Sequence, residues 1–500
     1  MDLQTLLSIE WGAMGPEFII LGVATLLSLL DLFLKPSVDR RQFAWLGFAG
    51  IIVAFGVLLT QLNDPAIQIL DNTYRLDSFS KLFKILLLLG GAFVMLLAAD
   101  YDPIEKLEYR GEFYYLFLTG LLGAMMMASS GDLITLFVGL ELLSISSYIL
   151  AGLRKKHLPS NEAAMKYVIN GGISTAMVLF GMSYVYGLTG STNLIKISQR
   201  MEGLLSEEFQ YITIISFVMI FVGLSFKLAS APFHMWAPDV YEGSPMPVTA
   251  FLSVVSKTAG FVIILRIFLT IFSKTPGEGG TTSLLVSMGD YIAIIAAVTM
   301  IVGNTIALRQ RNVKRLFAYS SIAHAGYVLV AFMALSPFML DSIWFYLLAY
   351  GMMNFGAFAI LQLVVSKTGK EDISEFTGLY RKSPLMAIAF GVFIISLAGI
   401  PGTAGFIAKV NIFTGTLLME HFLLASIMIG VTVISYVYYF GLLGQVFFRP
   451  ATNPEPIKFP VSTAILIVLC VVGTIGLGIF PNLALDVFYQ HGKFSLDFFQ

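Results

Sequence analysis

Long apolar runs, separated by short polar, basic or Gly/Pro-containing connections, dominate the chain. Fourteen of them approach or exceed the roughly 20 residues that a helix rising 1.5 Å per residue needs to cross a bilayer core of about 30 Å. They fall at 17–34, 42–61, 77–99, 111–130, 132–153, 162–188, 210–231, 246–272, 288–308, 313–335, 341–366, 384–416, 421–448 and 461–481. A segment in lipid must satisfy its backbone hydrogen bonds internally, and these runs are too long for barrel strands, so the pattern predicts helices. The expected fold class is an all-α integral membrane protein of fourteen transmembrane helices.

Two spans carry breaking sequences. Span 7 ends in Lys227-Leu-Ala-Ser-Ala-Pro232-Phe-His234, and span 12 holds Gly399-Ile-Pro401-Gly402-Thr-Ala-Gly405 in its middle. Pro removes a helix hydrogen bond and Gly loosens the backbone. Interrupted spans at matching places in two halves are the mark of inverted repeats around an ion path. Spans 7 and 12 are five apart, and an odd repeat length inverts topology. The expected organisation is a three-helix segment over 1–110, a first repeat over 111–272 (spans 4–8), a second over 288–448 (spans 9–13) and a last span with a tail over 461–500.

Composition narrows the function classes. The AVILMFWYC set makes up 57% of 500 residues and charged residues 12%, against roughly 45–50% and about 25% in soluble domains. Little of the chain is left for a soluble domain. A net charge of −1 without a basic block argues against nucleic-acid binding. The single cysteine, Cys470, excludes an internal disulfide and a cysteine-ligated metal or iron–sulfur centre. Met1 to Pro16 has acidic residues where a secretory signal has basic ones, so no signal peptide is expected. Loop charge sets orientation. The side reached after the first span holds eighteen basic residues, from Lys35, Arg40 and Arg41, through Lys106, to Arg449 and Lys458. The other side holds Arg75, Lys196, Arg200, Lys274 and Lys493. The basic side is expected to be cytoplasmic, with both termini extracytoplasmic.

The remaining basic residues lie inside apolar runs. Lys81, Lys84 and Arg266 stand near span ends and are expected to snorkel to the interface. Glu141, Lys227, Lys257 and Lys409 lie deeper, where each charge costs about 2.5–3.5 kcal/mol on the mildest insertion scale. Such positions need partners or water. A buried amine near a carboxylate gains or loses its proton as that partner's charge moves, so the set reads as a proton relay with Glu141 and Lys227 as an interacting pair. His324 in span 10 and His234 after the span 7 break could bridge these sites, because imidazole titrates near neutrality. Lys166 either tunes the Glu141–Lys227 pair or snorkels. No His/Cys/Asp/Glu cluster suggests a metal site.

Several motifs extend this reading. Phe226-Lys227-Leu-Ala-Ser-Ala-Pro-Phe-His234-Met-Trp-Ala-Pro-Asp239-Val-Tyr-Glu-Gly-Ser-Pro-Met-Pro-Val-Thr249, continuing to Ser256-Lys257, resembles the signature of the proton-translocating antiporter-like membrane family. So does Asn304…Gln310…Lys314-Arg315-Leu-Phe-Ala-Tyr-Ser-Ser-Ile-Ala-His324-Ala-Gly-Tyr327. The resemblance covers roughly residues 110–450. Gly378-Leu-Tyr-Arg-Lys-Ser-Pro384, and Gly399-Ile-Pro-Gly-Thr-Ala-Gly-Phe before Lys409, make it most similar to the family members of respiratory NADH:quinone oxidoreductase (complex I).

The resemblance implies proton pumping, with Glu141 and Lys227 as a gating pair, Lys257 as central relay, Lys409 as the exchange site, and His234, His324 and Lys166 in secondary roles. It also implies that this chain holds no redox centre. NADH or ferredoxin, flavin, iron–sulfur clusters and quinone are expected on other subunits. The partners it implies are the antiporter-like subunits M and L, the small membrane subunits and the lipid of a bacterial plasma membrane. Two other functions fit the residues: a subunit of a Mrp-type sodium/proton antiporter, or a structural membrane subunit that conducts nothing.

Overall fold

The computed structural model describes residues 8–35, 38–101, 110–203, 207–277, 281–450, 457 and 459–498. Lys106 and Lys458 of the basic side lie outside them. The helices that build the bundle are α1 Gly15–Phe33, α2 Gln42–Thr60, α3 Ser78–Ala99, α4 Arg110–Ala128, α5 Leu133–Ala151, α6 Leu158–Thr189, α7 Glu207–Leu228 and the short α8 Trp236–Gly243. Then come α9 Met246–Phe272, α10 Gly289–Ala307, α11 Val313–Ala334, α12 Met339–Thr368, α13 Pro384–Ala398, α14 Ala404–Leu418, α15 Phe422–Phe448, α16 Val461–Ile479, α17 Asn482–His491 and α18 Phe494–Phe498. Among the described residues, thirteen helices are long and apolar enough to cross a membrane, while α13 and α14 are each shorter. Those two occupy the run read from sequence as span 12. A two-stranded hairpin, β1 Ile67–Ile69 and β2 Tyr74–Leu76, was not expected from sequence.

Both breaks are present. α7 stops at Leu228; Ala229 takes a φ of 55° and the Ala231–Pro232 peptide is cis before α8 begins. The carbonyls freed by this break are used again: Phe226 accepts from Ala229 N–H and from Trp236 Nε1 (3.0 Å), and Ser225 accepts from Ser230 N–H. Between α13 and α14, Gly399 (φ 83°) and Gly402 (φ 90°) adopt the left-handed conformation that L side chains resist. α9 carries two π-helical turns that its sequence did not announce. One spans Leu252–Ser256 and delivers the chain directly to Lys257; the other is Phe268–Phe272. Such turns recur at functional sites.

α3, α9, α11 and α12 are almost wholly enclosed, whereas α1, α2, α6, α10, α15 and α16 turn most of their surface outward. Trp344 and Gln362 of α12 each donate to a carbonyl of α3, those of Leu82 and Leu97, both at 2.9 Å. At the basic end of α3, Asp100 accepts from Ser462 and from the N–H and hydroxyl of Thr463, capping α16 from another helix. At the opposite end Asp77 caps α3 in a reciprocal pair with Ser80, and Asp497 of α18 accepts from Phe79 N–H.

Three expectations about charges near span ends need correction. Lys84 is fully buried and pairs with Glu17 at 2.5 Å, while Tyr74 accepts from the ammonium and donates to the carboxylate. Arg266 is 2% exposed and grips Asp77 through both terminal nitrogens, at 2.5 and 2.9 Å, with Arg75 beside them. Lys81 is also buried and donates to the Asp64 carbonyl. Snorkelling fails because the hairpin and the chain ends cover this side of the helices, so water is replaced by paired carboxylates and carbonyls.

Candidate functional site

Glu141 lies nine residues into α5, about 12 Å along its axis, and Ser144 follows one turn later on the same face. The hydroxyl of Thr175, on α6, donates to Glu141 (2.9 Å). Lys227, one residue from the broken end of α7, donates to Ser144 (3.2 Å). Thr175, Ser144 and Lys227 also line a cavity of about 10 Å³, room for about one water. Glu141 and Lys227 make no ion pair. Each is held by its own hydroxyl, Glu141 by Thr175 and Lys227 by Ser144.

Lys257 follows the first π turn of α9. Its ammonium donates to the Ser321 carbonyl at 2.5 Å. The Ser321 hydroxyl belongs to a cluster with Tyr241 (3.2 Å) and Tyr350 (2.8 Å), and Ser253 meets Tyr350 at 3.0 Å. His324 sits three residues beyond Ser321 on α11. Its Nδ1 meets Tyr346 at 2.7 Å and its Nε2 meets Tyr439 at 3.3 Å. Lys257, Ser321, His324, Tyr346 and Tyr350 surround a second cavity of about 10 Å³. Lys257 and Lys409 both lie close enough to act electrostatically on His324.

Lys409 uses the second break. Its ammonium donates to the carbonyls of Leu397 (3.1 Å) and Ala398 (3.0 Å), the last residues of α13, and lies 4.9 Å from the centre of the Tyr327 ring. Helix ends leave carbonyls without intrahelical partners and carry partial negative charge. Gly399 makes this approach possible, because a Cβ there would stand 2.8 Å from Lys409 Cδ and 3.1 Å from its Nζ.

The row Lys227, Lys257, His324 and Lys409 is buried, each member at most 7% exposed. Among the described residues no carboxylate lies within ion-pair distance of these three lysines; hydroxyls and carbonyls hold them. The structural cations differ: Lys84 has Glu17, Arg266 has Asp77 and Lys314 has Glu371 at 2.8 Å. A neutral oxygen can hold an amine with or without its extra proton, whereas a buried carboxylate fixes the charge.

Two secondary residues sit elsewhere. His234 is half-buried at the first break and makes no side-chain hydrogen bond to the lysine row. Lys166 pairs with Glu162 and with Asp239 of α8, both at 2.6 Å. Arg315 of α11 binds the same Asp239 (2.6 Å) and Glu242 (2.8 Å), so α8 is clamped between α6 and α11. Partial burial pushes the Asp239 carboxyl up, but the hydrogen bonds from Lys166 and Arg315 outweigh it and hold the group below the usual carboxylate value. Sequence reasoning missed the hydroxyls of Thr175, Tyr241, Ser321, Tyr346, Tyr350 and Tyr439. Isolated Ser, Thr and Tyr are too common in membrane helices to stand out. Among the described residues no group of His, Cys, Asp and Glu could hold a metal.

An all-α bundle with two interrupted helices and a buried row of amines defines a polytopic membrane protein of the antiporter-like class. The chain belongs to the NADH:quinone oxidoreductase/Mrp antiporter transmembrane family, whose profile matches residues 130–435. It is 60% identical to NADH-quinone oxidoreductase subunit N of Geobacillus sp. (strain WCH70), over 97% of this chain and 99% of that protein. Among solved structures it resembles a chain of respiratory complex I from Thermus thermophilus with bound aureothin, at 32% identity and a TM-score of 0.78, covering 94% of this chain and 98% of that one. A chain of the Mrp complex from Dietzia sp. DQ12-45-1b shares the fold at 19% identity and a TM-score of 0.82, over 96% of each chain.

Proposed function

We propose that this chain is a proton-translocating membrane subunit of a bacterial respiratory NADH:quinone oxidoreductase, an integral protein of the plasma membrane. The observation that carries the reading is the buried row of lysines held only by neutral oxygens. Glu141 acts as the acid whose charge loads or unloads Lys227, with Thr175 and Ser144 holding the two groups. Lys257 and His324 pass the proton across the centre, and Lys409 exchanges it at the far end. NADH or ferredoxin, flavin, iron–sulfur clusters and quinone belong to other subunits, and antiporter-like subunits M and L and small membrane subunits are the expected neighbours. The high identity to subunit N relatives, against a fold-level likeness to the Mrp chain, favours this over sodium/proton antiport.

The same reading makes α13 and α14 one broken crossing, the fourteenth, and places the basic side in the cytoplasm with both termini outside. It divides the chain at 111–272 and 288–448 into inverted repeats. Matching features support the division. α4 and α5 cross closely at Gly123 and Gly139, as α10 and α11 do at Gly303 and Gly326, and one break falls in each half.

The test is proton uptake by inverted membrane vesicles. Glu141→Ala and Lys227→Ala should each leave the complex assembled while lowering both pumping and the coupled quinone reduction. Normal pumping in both variants would support a subunit that conducts nothing.

A further inference from the structure

Tyr148 stands on α5 one turn beyond Ser144 and two beyond Glu141, at the helical spacing that puts all three on one face. Its side chain reaches across to α6. A Cβ on Gly171 would collide with the Tyr148 hydroxyl and stand 2.6 Å from its Cζ, so the tyrosine fits only because residue 171 is glycine. Glycine inside a helix costs stability, and a close approach such as this accounts for it. Gly171 lies one turn before Thr175, the residue that donates to Glu141.

The ring is braced from the other side. It meets Tyr167 edge-on at 4.7 Å between centres, and Tyr167 stacks on Trp236 at 4.5 Å with the planes 7° apart. Trp236 donates to the carbonyl of Phe226, the chain neighbour of Lys227. Tyr148 is thereby tied to the first break. It lines the same cavity of about 10 Å³ as Ser144, Thr175 and Lys227. Ser144, which accepts from Lys227, and Thr175, which donates to Glu141, both lie close enough to act on the Tyr148 hydroxyl. Among the described residues, Glu141 is the charged group that acts on both Tyr148 and Lys227.

We propose that Tyr148 is a positioning residue of the Glu141–Lys227 pair, its hydroxyl seated in the Gly171 slot so that it orders one water of the small cavity between Thr175 and Ser144. The inference rests on the reading of Glu141 and Lys227 as an interacting pair. A tyrosine hydroxyl both donates and accepts, as do those of Thr175 and Ser144. A cavity of this size admits about one water, and a buried water needs about two to four polar partners to stay in place. Tyr148, Ser144 and Thr175 supply them. With that water ordered, the charge of Glu141 is felt at Lys227 through aligned dipoles; with it lost, the two groups titrate more nearly alone. Tyr148 keeps its own proton throughout.

The experiment uses the intact complex in inverted vesicles, with the cytoplasmic face outward. Tyr148→Phe, which keeps the ring, is compared with Glu141→Gln at pH 8 and pH 6, each relative to the unmodified complex at the same pH. Loss of the hydroxyl should slow proton uptake about fivefold at pH 8, the rate equivalent of one ordinary hydrogen bond. A carboxylate favours the charged form of a nearby amine, so weakened coupling tells most where protons are scarce, and the deficit should shrink at pH 6. Glu141→Gln should show a deficit with the same trend. Uptake at the unmodified rate in Tyr148→Phe, with Glu141→Gln impaired, would overturn the positioning role and leave the pair standing. A Tyr148→Phe deficit equal at both pH values, or larger at pH 6, would also overturn it, as a packing defect. Unmodified uptake in Glu141→Gln at both pH values would overturn the pair reading itself. Should Tyr148→Phe fail to assemble, Gly171→Ala, which denies the hydroxyl its slot, decides on the same criteria.

Discussion

The contrast between paired and unpaired buried cations predicts opposite stability effects for two lysine-to-methionine substitutions. Lys84→Met removes one half of a buried ion pair and leaves the Glu17 carboxylate, 2% exposed, with only Tyr74 as a donor. Breaking such a pair destabilises by about 3–5 kcal/mol. Lys257→Met removes a cation that no carboxylate offsets. It relieves about 2.5–3.5 kcal/mol of burial cost and loses one hydrogen bond of about 1 kcal/mol to the Ser321 carbonyl. The net expectation is about 1.5–2.5 kcal/mol stabilising, with proton uptake abolished. Thermal unfolding of the purified complex, followed by release of this subunit, compares the two. Glu17→Leu combined with Lys84→Met should recover most of the single variant's loss, because a pair can be replaced by apolar packing. If Lys257→Met destabilises as much as Lys84→Met, then the Lys257 amine is a structural group and the division between structural and relay cations is wrong.

Other outcomes follow from the same geometry. Gly399→Ala forces a side chain into a left-handed backbone, about 1–2 kcal/mol of strain, and pushes Lys409 from the α13 carbonyls; pumping should fall while subunit content on gels stays unchanged. Arg266→Lys loses the two-pronged grip on Asp77 and should lower stability by about 1–3 kcal/mol in the same unfolding assay. Asp239, whose carboxyl is held below its ordinary value, contributes stability above the unfolded value of about pH 4 and loses it as pH falls through the lower folded value. The advantage of the unmodified complex over Asp239→Asn should therefore be flat from about pH 8 to 5 and shrink below about pH 4; a change across neutrality would contradict the assignment.

Apolar length made the membrane helices legible from sequence, and the Gly and Pro clusters made both breaks legible, because lipid admits so few backbone solutions. The depth of Lys257 and Lys409 could be counted along their runs. What each charge touches could not. Arg266 stands six residues from the end of its run and looks able to reach water, yet its partner Asp77 is 189 residues away and covered by a hairpin that three-residue strands barely announce. Lys166 could be read as tuning the Glu141–Lys227 pair or snorkelling, but its partner Asp239 lies beyond the first break, where chain direction cannot be read from hydropathy. The π turn before Lys257, Leu252–Ser256, has no Gly or Pro to mark it.

The two acids that flank α3 bear on how the chain is made. Asp100 receives the start of α16 and Asp497 returns to Phe79, so residues translated much later are fastened to a helix translated early. During synthesis those polar ends of α3 must wait, solvated by water or lipid headgroups, until the tail arrives. Closure of the bundle is then a late event in biogenesis, and nascent chains stalled before the tail should be the ones that quality-control proteases find open.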